Sequence, residues 1–318
     1  MRIKPIYCLF LLPISLLAQK IDNTVSYRNI DGDSYFRFHY DNDYFAATDE
    51  NYTQGYNFEV VLSSLKNNPI NYLFYKPKDV STIYGLSVEH IGFTPNDYVN
   101  EAIQFGDRPF AAAIMLKSLM ISKHPEKKIR LSQSLSLGLI GPGAFGKEMQ
   151  VGIHKATGNK IPGGWDNQIK NDVVLNYRID FEKQLYIYNN LFAIQANSTL
   201  QLGTLFTNVS AGFNMQLGIL NSTFETSKSK KNFQIYLYGQ PNVSVIGYDA
   251  SLQGGLFNDD SPYTISSKGV ERFTAQYNYG IILKTKTLYF EYTRSAITKE
   301  FKTGNPAKWG GIRIGFTF

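Results

Sequence analysis

Three segments of the chain combine residue types that could do chemistry. The first extends from Tyr40-Asp41-Asn42-Asp43 to Asp49-Glu50-Asn51-Tyr52-Thr53, and it gathers four acids together with amide and hydroxyl oxygens. Hard oxygen ligands of this kind suit Ca²⁺ better than zinc. The same composition also fits a solvated polar loop, because Asp and Asn favour turns.

The second segment is Gly106-Asp107-Arg108-Pro109. The guanidinium of Arg108 could hold a phosphate in a forked geometry, or it could pair with the neighbouring Asp107. A plain turn leading into the next strand is the alternative, and the segment alone does not decide between them.

The third segment begins at Gly141-Pro142-Gly143. It predicts a short helix from about residue 144 to residue 157, ended near Gly158. Gln150 and His154 are four residues apart, so they would share one face of that helix. A histidine in such a loop can act as a general base on water, although a solvated histidine is the alternative.

Alternation of apolar and polar residues with a period of two dominates the rest of the chain. Between Ile129 and Leu139, for example, Ile and Leu alternate with Arg, Ser and Gly, as is typical of strands with one apolar face. The pattern predicts twelve strands, near residues 34–43, 52–63, 82–92, 109–122, 128–140, 171–185, 190–203, 206–220, 232–246, 271–284, 287–297 and 308–318.

Alternation alone would also fit a secreted sandwich whose polar face points to water. Three features favour an all-β fold, a twelve-stranded antiparallel transmembrane β-barrel with a short helix in an outer loop. Many strands are about ten residues or longer, which is the length that crosses a bilayer at a tilt. The faces expected to point inward carry charged and amide residues, and the chain ends on the aromatic strand Trp309–Phe318. The 22 Tyr and 22 Phe residues also suit membrane interfaces.

Residues 1–18 are predicted to be a signal peptide, because Arg2 and Lys4 precede an apolar run too short to span a bilayer as a helix. Residues 19–318 would form one barrel domain without cysteine, since the only cysteine, Cys8, lies in the signal peptide. An even strand number places both termini in the periplasm and the loops after odd-numbered strands outside. This parity puts the three segments at the outer rim.

Taken together, the three segments resemble the lipid A 3′-O-deacylase family, the LpxR-like outer-membrane enzymes. The order and spacing of short motifs carry the resemblance over roughly residues 34–175. The matching motifs are Asn42-Asp43, Tyr52-Thr53-x-Gly55, Gly106-Asp107-Arg108, Ile140-Gly141-Pro142, Gln150-x-x-x-His154 and Pro162-x-x-Trp165-x-x-Gln168.

The resemblance implies calcium-dependent hydrolysis of an ester that joins an acyl chain to lipid A, the membrane anchor of lipopolysaccharide, at the outer leaflet. It implies that His154 activates water, that Asn42, Asp43 and Thr53 build the calcium and oxyanion environment, and that Gln150 supports the site. We further expect Arg108 and Trp165 to contact the substrate. Other expectations are a monomer and no nucleic-acid partner.

Two positions depart from the family pattern. Asn159 replaces an acidic residue expected five positions after the histidine, and the loop between Phe93 and Gly106 has no lysine. The first departure puts carboxylate support from this loop in doubt, and the second leaves open how the lipid A phosphate is held.

Two other functions remain open from the sequence. One is a non-catalytic barrel, such as a channel or an adhesin. The other is a different outer-membrane lipid esterase that acts on phospholipids. A serine acyl-enzyme has little support, because no Gly-x-Ser-x-Gly elbow occurs in the chain.

Overall fold

The computed structural model describes residues 22–46, 51–224 and 231–318. Within these ranges, twelve strands form a closed antiparallel barrel, in which each strand pairs with its neighbours in sequence and the first pairs with the last. The strands are β1 (Tyr35–Asn42), β2 (Asn51–Val61), β3 (Ser81–Thr94), β4 (Ala111–His124), β5 (Ile129–Ile140), β6 (Asp172–Tyr188), β7 (Phe192–Gly203), β8 (Phe206–Ile219), β9 (Gln234–Asp249), β10 (Phe273–Lys284), β11 (Leu288–Ile297) and β12 (Ala307–Thr317).

The predicted strand count and order are confirmed, and the strand bounds agree to within a few residues. The predicted signal peptide, Asp49 and Glu50 lie outside the described residues. The loop after β9 contains a short helix, α2 (Ala250–Gln253). Gly254 and Gly255 follow this helix and are not part of a strand.

The two faces of the barrel wall differ sharply in polarity. Side chains that point outward are apolar and exposed, as Leu116 (51 %) and Leu175 (47 %) show, whereas Glu291 and Arg313 point inward and are buried. A soluble sandwich has the reverse arrangement, so the sandwich alternative is wrong. No helix in the described part of the chain is long and apolar enough to cross a membrane.

The first described residues fill the barrel lumen. A 3₁₀ turn at Ser26–Arg28 lies inside the barrel, where Arg28 forms an ion pair with Glu291 at 2.9 Å. The hydroxyl of Ser26 donates to Glu182 at 2.7 Å, and the hydroxyl of Tyr27 donates to Gln240 at 2.7 Å. Residues of the chain itself therefore occupy part of the lumen and bond to its polar inward face.

The predicted loop helix is present as α1 (Gly146–Thr157), and it ends at Gly158, whose φ of +72° suits a left-handed C-cap. Its first turn rests on the outside of the wall. A Cβ built on Gly146 would come within 2.4 Å of the Ala112 Cβ and 2.7 Å of the Trp165 ring. The absence of a side chain at Gly146 thus lets the helix approach the wall closely.

Candidate active site

A cleft of about 370 Å³ lies between helix α1 and the outside of the barrel wall at β1 and β2. We call it the outer-wall cleft. It is therefore outside the lumen, at the end of the barrel that carries the loops after the odd-numbered strands. Its lining combines polar and aromatic side chains: Tyr40, Asn42, Tyr44, Phe45, Thr53, Gln54, Gln150, Ile153, His154, Thr157 and Asn159.

Asn42, the last residue of β1, links the two sides of the first predicted segment. Its Oδ1 accepts a hydrogen bond from the backbone N–H of Tyr44 at 2.7 Å. Its Nδ2 donates to the backbone carbonyl of Thr53 at 2.6 Å and to the Tyr40 hydroxyl at 3.2 Å. These bonds hold the 3₁₀ turn Asp43–Ala46 against β2 and fix the polar wall of the outer-wall cleft.

Thr53 lies at a β-bulge, where the pairing of β2 with β3 shifts between Tyr52 and Gln54. A bulge redirects a side chain that strict alternation would send to one face. The hydroxyl of Thr53 is 2.5 Å from the hydroxyl of Thr94, the last residue of β3. Sequence reasoning missed Thr94, because only the pairing of the two strands brings it beside Thr53.

Of the four acids in the first segment, Asp41 and Asp43 lie within the described residues. Asp41 points into the lumen, where its Oδ1 lies 2.5 Å from His39 Nε2. Asp43 is buried in the turn whose Tyr44 and Phe45 line the outer-wall cleft. In the described ranges, no three His, Cys, Asp or Glu side chains form a cluster that could hold a metal ion.

His154 is held in one tautomer by the backbone. Its Nδ1 lies 2.5 Å from the carbonyl oxygen of Lys160. Because a carbonyl only accepts, Nδ1 carries the proton and Nε2 keeps its lone pair. The ring also packs edge-on against Tyr98, with the ring centroids 5.4 Å apart. The Lys160 carbonyl thus orients His154 in this loop, where Asn159 stands in place of an acid.

Gln150, one helical turn before His154, is oriented by a second loop residue. The indole Nε1 of Trp165 donates to Gln150 Oε1 at 2.6 Å, and both side chains are buried. Gln150 Nε2 has no acceptor among the described residues. The amide therefore presents its N–H donors while its oxygen is fixed.

Gln54 is a cleft residue that sequence reasoning missed. It occupies the variable position of the Tyr52-Thr53-x-Gly55 motif, and its Nε2 is also buried without an acceptor among the described residues. Its place inside this motif was the available sequence signal. The cleft therefore contains two amide side chains with unused donors.

The structure does not bring Arg108 or Trp165 to the outer-wall cleft as substrate contacts. Arg108 is buried, with its Nη1 donating to Glu300 Oε2 at 2.8 Å and its guanidinium over the ring of Phe93 at 4.3 Å. Burial raises the pKa of the Glu300 carboxyl to about 7, although Arg108 acts in the opposite direction. Trp165 is fully buried and acts on the cleft through Gln150.

Comparison with known proteins agrees with this architecture. The family model described as outer membrane protein LpxR matches residues 6–318. The structure is similar to that of LpxR from Salmonella typhimurium, with a TM-score of 0.74 and 17 % identity over 90 % of this chain and 100 % of that chain.

More distant barrels include the β domain of the Bordetella autotransporter BrkA, at 6 % identity over 90 % of this chain and 98 % of that chain, with a TM-score of 0.45. The match to the KdgM porin covers 89 % of this chain and 99 % of that chain, with 6 % identity and a TM-score of 0.36. No curated protein sequence matches significantly. The match over nearly the whole chain confirms the resemblance seen in the motifs, and the chain belongs to the LpxR family of outer membrane proteins.

Proposed function

We propose that this protein is an outer-membrane hydrolase that removes an ester-linked acyl chain from lipid A. The observation that carries the proposal is His154, whose ring is oriented by the Lys160 carbonyl and which lines a cleft on the outside of the barrel wall. A neutral imidazole in this orientation can take a proton from water through Nε2.

The position of the outer-wall cleft suits a substrate that stays in the membrane. Acyl chains can remain against the apolar wall while the sugar head group meets the loops. Tyr40, Tyr44, Phe45 and Ile153 supply apolar surface beside the polar groups of the same cleft. In this proposal, the cleft faces the outer leaflet, and one chain contains the whole site, so the protein acts as a monomer.

The reaction begins with attack of water on the ester carbonyl carbon. As the new C–O bond forms, the water proton moves to His154 Nε2, and negative charge develops on the carbonyl oxygen. The amide donors of Gln150 and Gln54 are available to this charge. His154 then returns the proton to the departing sugar oxygen, which releases a fatty acid and the sugar alcohol.

The side chains of this region carry the type of ligand atom that calcium prefers. Asp43, Asn42 and Thr53 offer carboxylate, amide and hydroxyl oxygens, and their one other polar side-chain atom is the amide nitrogen of Asn42. These three residues would hold the ion, with Asp43 as the single described carboxylate. When bound, Ca²⁺ would supply polarisation of the ester carbonyl. Each of the three residues is buried or half-buried, so an ion here would be partly shielded from water.

The second candidate is hydrolysis of phospholipid, because a cleft open to the membrane side of the wall is also accessible to bilayer lipids. Purified protein in mixed micelles with lipid A or phospholipid separates the two. We expect fatty acid release from lipid A, loss of release with a calcium chelator, and recovery when Ca²⁺ is added back. Release from phospholipid alone would overturn the substrate assignment, and release that the chelator leaves unchanged would overturn the calcium assignment.

A further inference from the structure

Arg294 is a cation on the outward face of β11. Arg294 lies three residues before the end of this strand, roughly 10 Å along it. Its neighbours Thr293 and Ser295 are buried toward the lumen, so Arg294 itself points away from it. Arg294 Nε donates to the hydroxyl of Tyr292 at 2.8 Å. No carboxylate among the described residues pairs with its guanidinium, which leaves the Nη donors available.

Arg294 is in register with the polar wall of the outer-wall cleft. Asn42 pairs with Gly310 across β1 and β12, and Gly310 pairs with Arg294 across β12 and β11. The three residues thus form one row across adjacent strands, and the backbones of Asn42 and Arg294 are separated by two strand spacings, roughly 10 Å.

Phe45 and Arg294 both pack over Gly310, which is buried beneath them. A Cβ built on Gly310 would lie 2.8 Å from the Cβ of Phe45, which lines the cleft, and 3.2 Å from the Cδ of Arg294. Any side chain at this position would displace Phe45 or Arg294. The glycine therefore lets Arg294 lie close to Phe45 at the edge of the outer-wall cleft.

Arg294 also lines an apolar groove of about 590 Å³. Arg294 pairs with Tyr279, and Tyr279 pairs with Gly239, so the groove extends along the same row of the barrel. We call it the outer-wall groove. Its apolar lining includes Met215, Leu217, Leu237, Tyr277, Tyr279 and Tyr292.

A lone arginine on the membrane side of a barrel is costly unless an anion or water satisfies it. A phosphorylated lipid has both an anionic group that can bind the arginine and an apolar chain that can bind the groove. Its phosphate accepts from the guanidinium in a forked geometry, and an acyl chain fits an apolar groove. The backbones of Arg294 and Asn42 are roughly 10 Å apart, which is short enough for one lipid head group to contact both.

We infer that Arg294 and the outer-wall groove hold the phosphorylated end of the same glycolipid whose ester lies in the outer-wall cleft. This inference rests on the proposed function for the identity of the lipid. The phosphate would then contact Arg294, a strand residue. Arg108 is not available for this contact, because it is paired with Glu300.

Binding provides a test that does not depend on activity. In a His154→Ala background, the affinities for lipid A and for chemically dephosphorylated lipid A are measured with and without Arg294→Gln. We expect Arg294→Gln to weaken the binding of phosphorylated lipid A about tenfold and to leave the dephosphorylated lipid unchanged. Arg294→Lys is expected to lie between, because it keeps the charge and loses the fork. Lys268→Gln, which removes an exposed cation from a loop, serves as the matched control.

Equal losses for both lipids, or no loss for either, would overturn the inference. So would an anionic phospholipid that binds as tightly as lipid A and with the same dependence on Arg294, because the groove would then serve another lipid. In the active protein, we expect Arg294→Gln to raise KM for phosphorylated lipid A about tenfold with little change in kcat. If wild type hydrolyses neither lipid A preparation, the proposed function fails, while the binding comparison still decides the role of Arg294.

Discussion

At the scale of single residues, the candidate base is oriented by main-chain and amide groups. The carbonyl of Lys160 fixes the ring of His154, and the indole of Trp165 fixes the amide of Gln150. Each bond leaves the opposite side of the ring or amide available to another partner. Two groups outside the cleft lining thus determine the geometry of two that line it.

Replacing Trp165 by Phe tests this support. The change keeps an aromatic ring and removes only the N–H that donates to Gln150 Oε1, which leaves a buried oxygen unsatisfied and the amide free to rotate. We expect kcat/KM for lipid A to fall about tenfold. Trp309→Phe, at the other tryptophan, inside the lumen, is the matched control and should change kcat/KM little. Equal rates for Trp165→Phe and wild type would contradict the supporting role.

Sequence accounts for some of these residues and not for others. The four-residue spacing of Gln150 and His154 on a predicted helix is a local property, so their common face was predictable. Thr94 reaches Thr53 only through strand pairing and a bulge, and Glu300 pairs with Arg108 from a loop far along the chain. Contacts between residues far apart in the chain depend on the register of the paired strands, and this register cannot be read from a single sequence.

At the scale of elements, the position of helix α1 against the wall determines the width of the outer-wall cleft. The period-two pattern was sufficient to predict the strands, because each wall residue faces either an apolar or a polar environment. The approach of the helix to the wall was not predictable, since it depends on Gly146 fitting between Ala112 and Trp165. The same glycine gives no periodic signal in the sequence.

Gly146→Ala tests the contribution of this close approach. The added methyl group would meet Ala112 Cβ and the Trp165 ring at distances that require the helix to move. We expect kcat/KM to fall at least tenfold while the barrel remains folded, because the strands do not depend on the helix. Gly152→Ala is the control in the same helix, since nothing lies within 4 Å of its Cβ position. It should retain activity and favour the helix by about 1 kcal/mol. Similar losses in both variants would contradict the prediction.

At the scale of the whole molecule, the barrel is a filled support with its candidate site on the outside. Ion pairs and hydrogen bonds between residues 22–30 and the inward faces of the strands occupy the lumen. The Arg28–Glu291 pair, for example, joins this segment to β11 and leaves neither charge exposed. This arrangement disfavours the channel alternative.

Conductance across a planar bilayer tests the filled lumen. We expect no steady single-channel current from the wild-type protein, because residues 22–30 lie inside the lumen and obstruct it. A variant without residues 22–30 that still forms the barrel should conduct ions. A stable ohmic current from the wild type would contradict this account of the interior and revive the channel alternative.

The most direct test of the central claim is mass spectrometry of lipid A from Gram-negative cells that express either the wild type or His154→Ala. Both proteins must be shown to be exported and folded. The proposed mechanism predicts lipid A lighter by one acyl chain with the wild type and unchanged lipid A with His154→Ala, because loss of a general base slows the chemical step by roughly 10²–10⁴-fold. Unchanged lipid A with both proteins, or equal loss of the acyl chain with both, would contradict the proposal that His154 activates water in the outer-wall cleft.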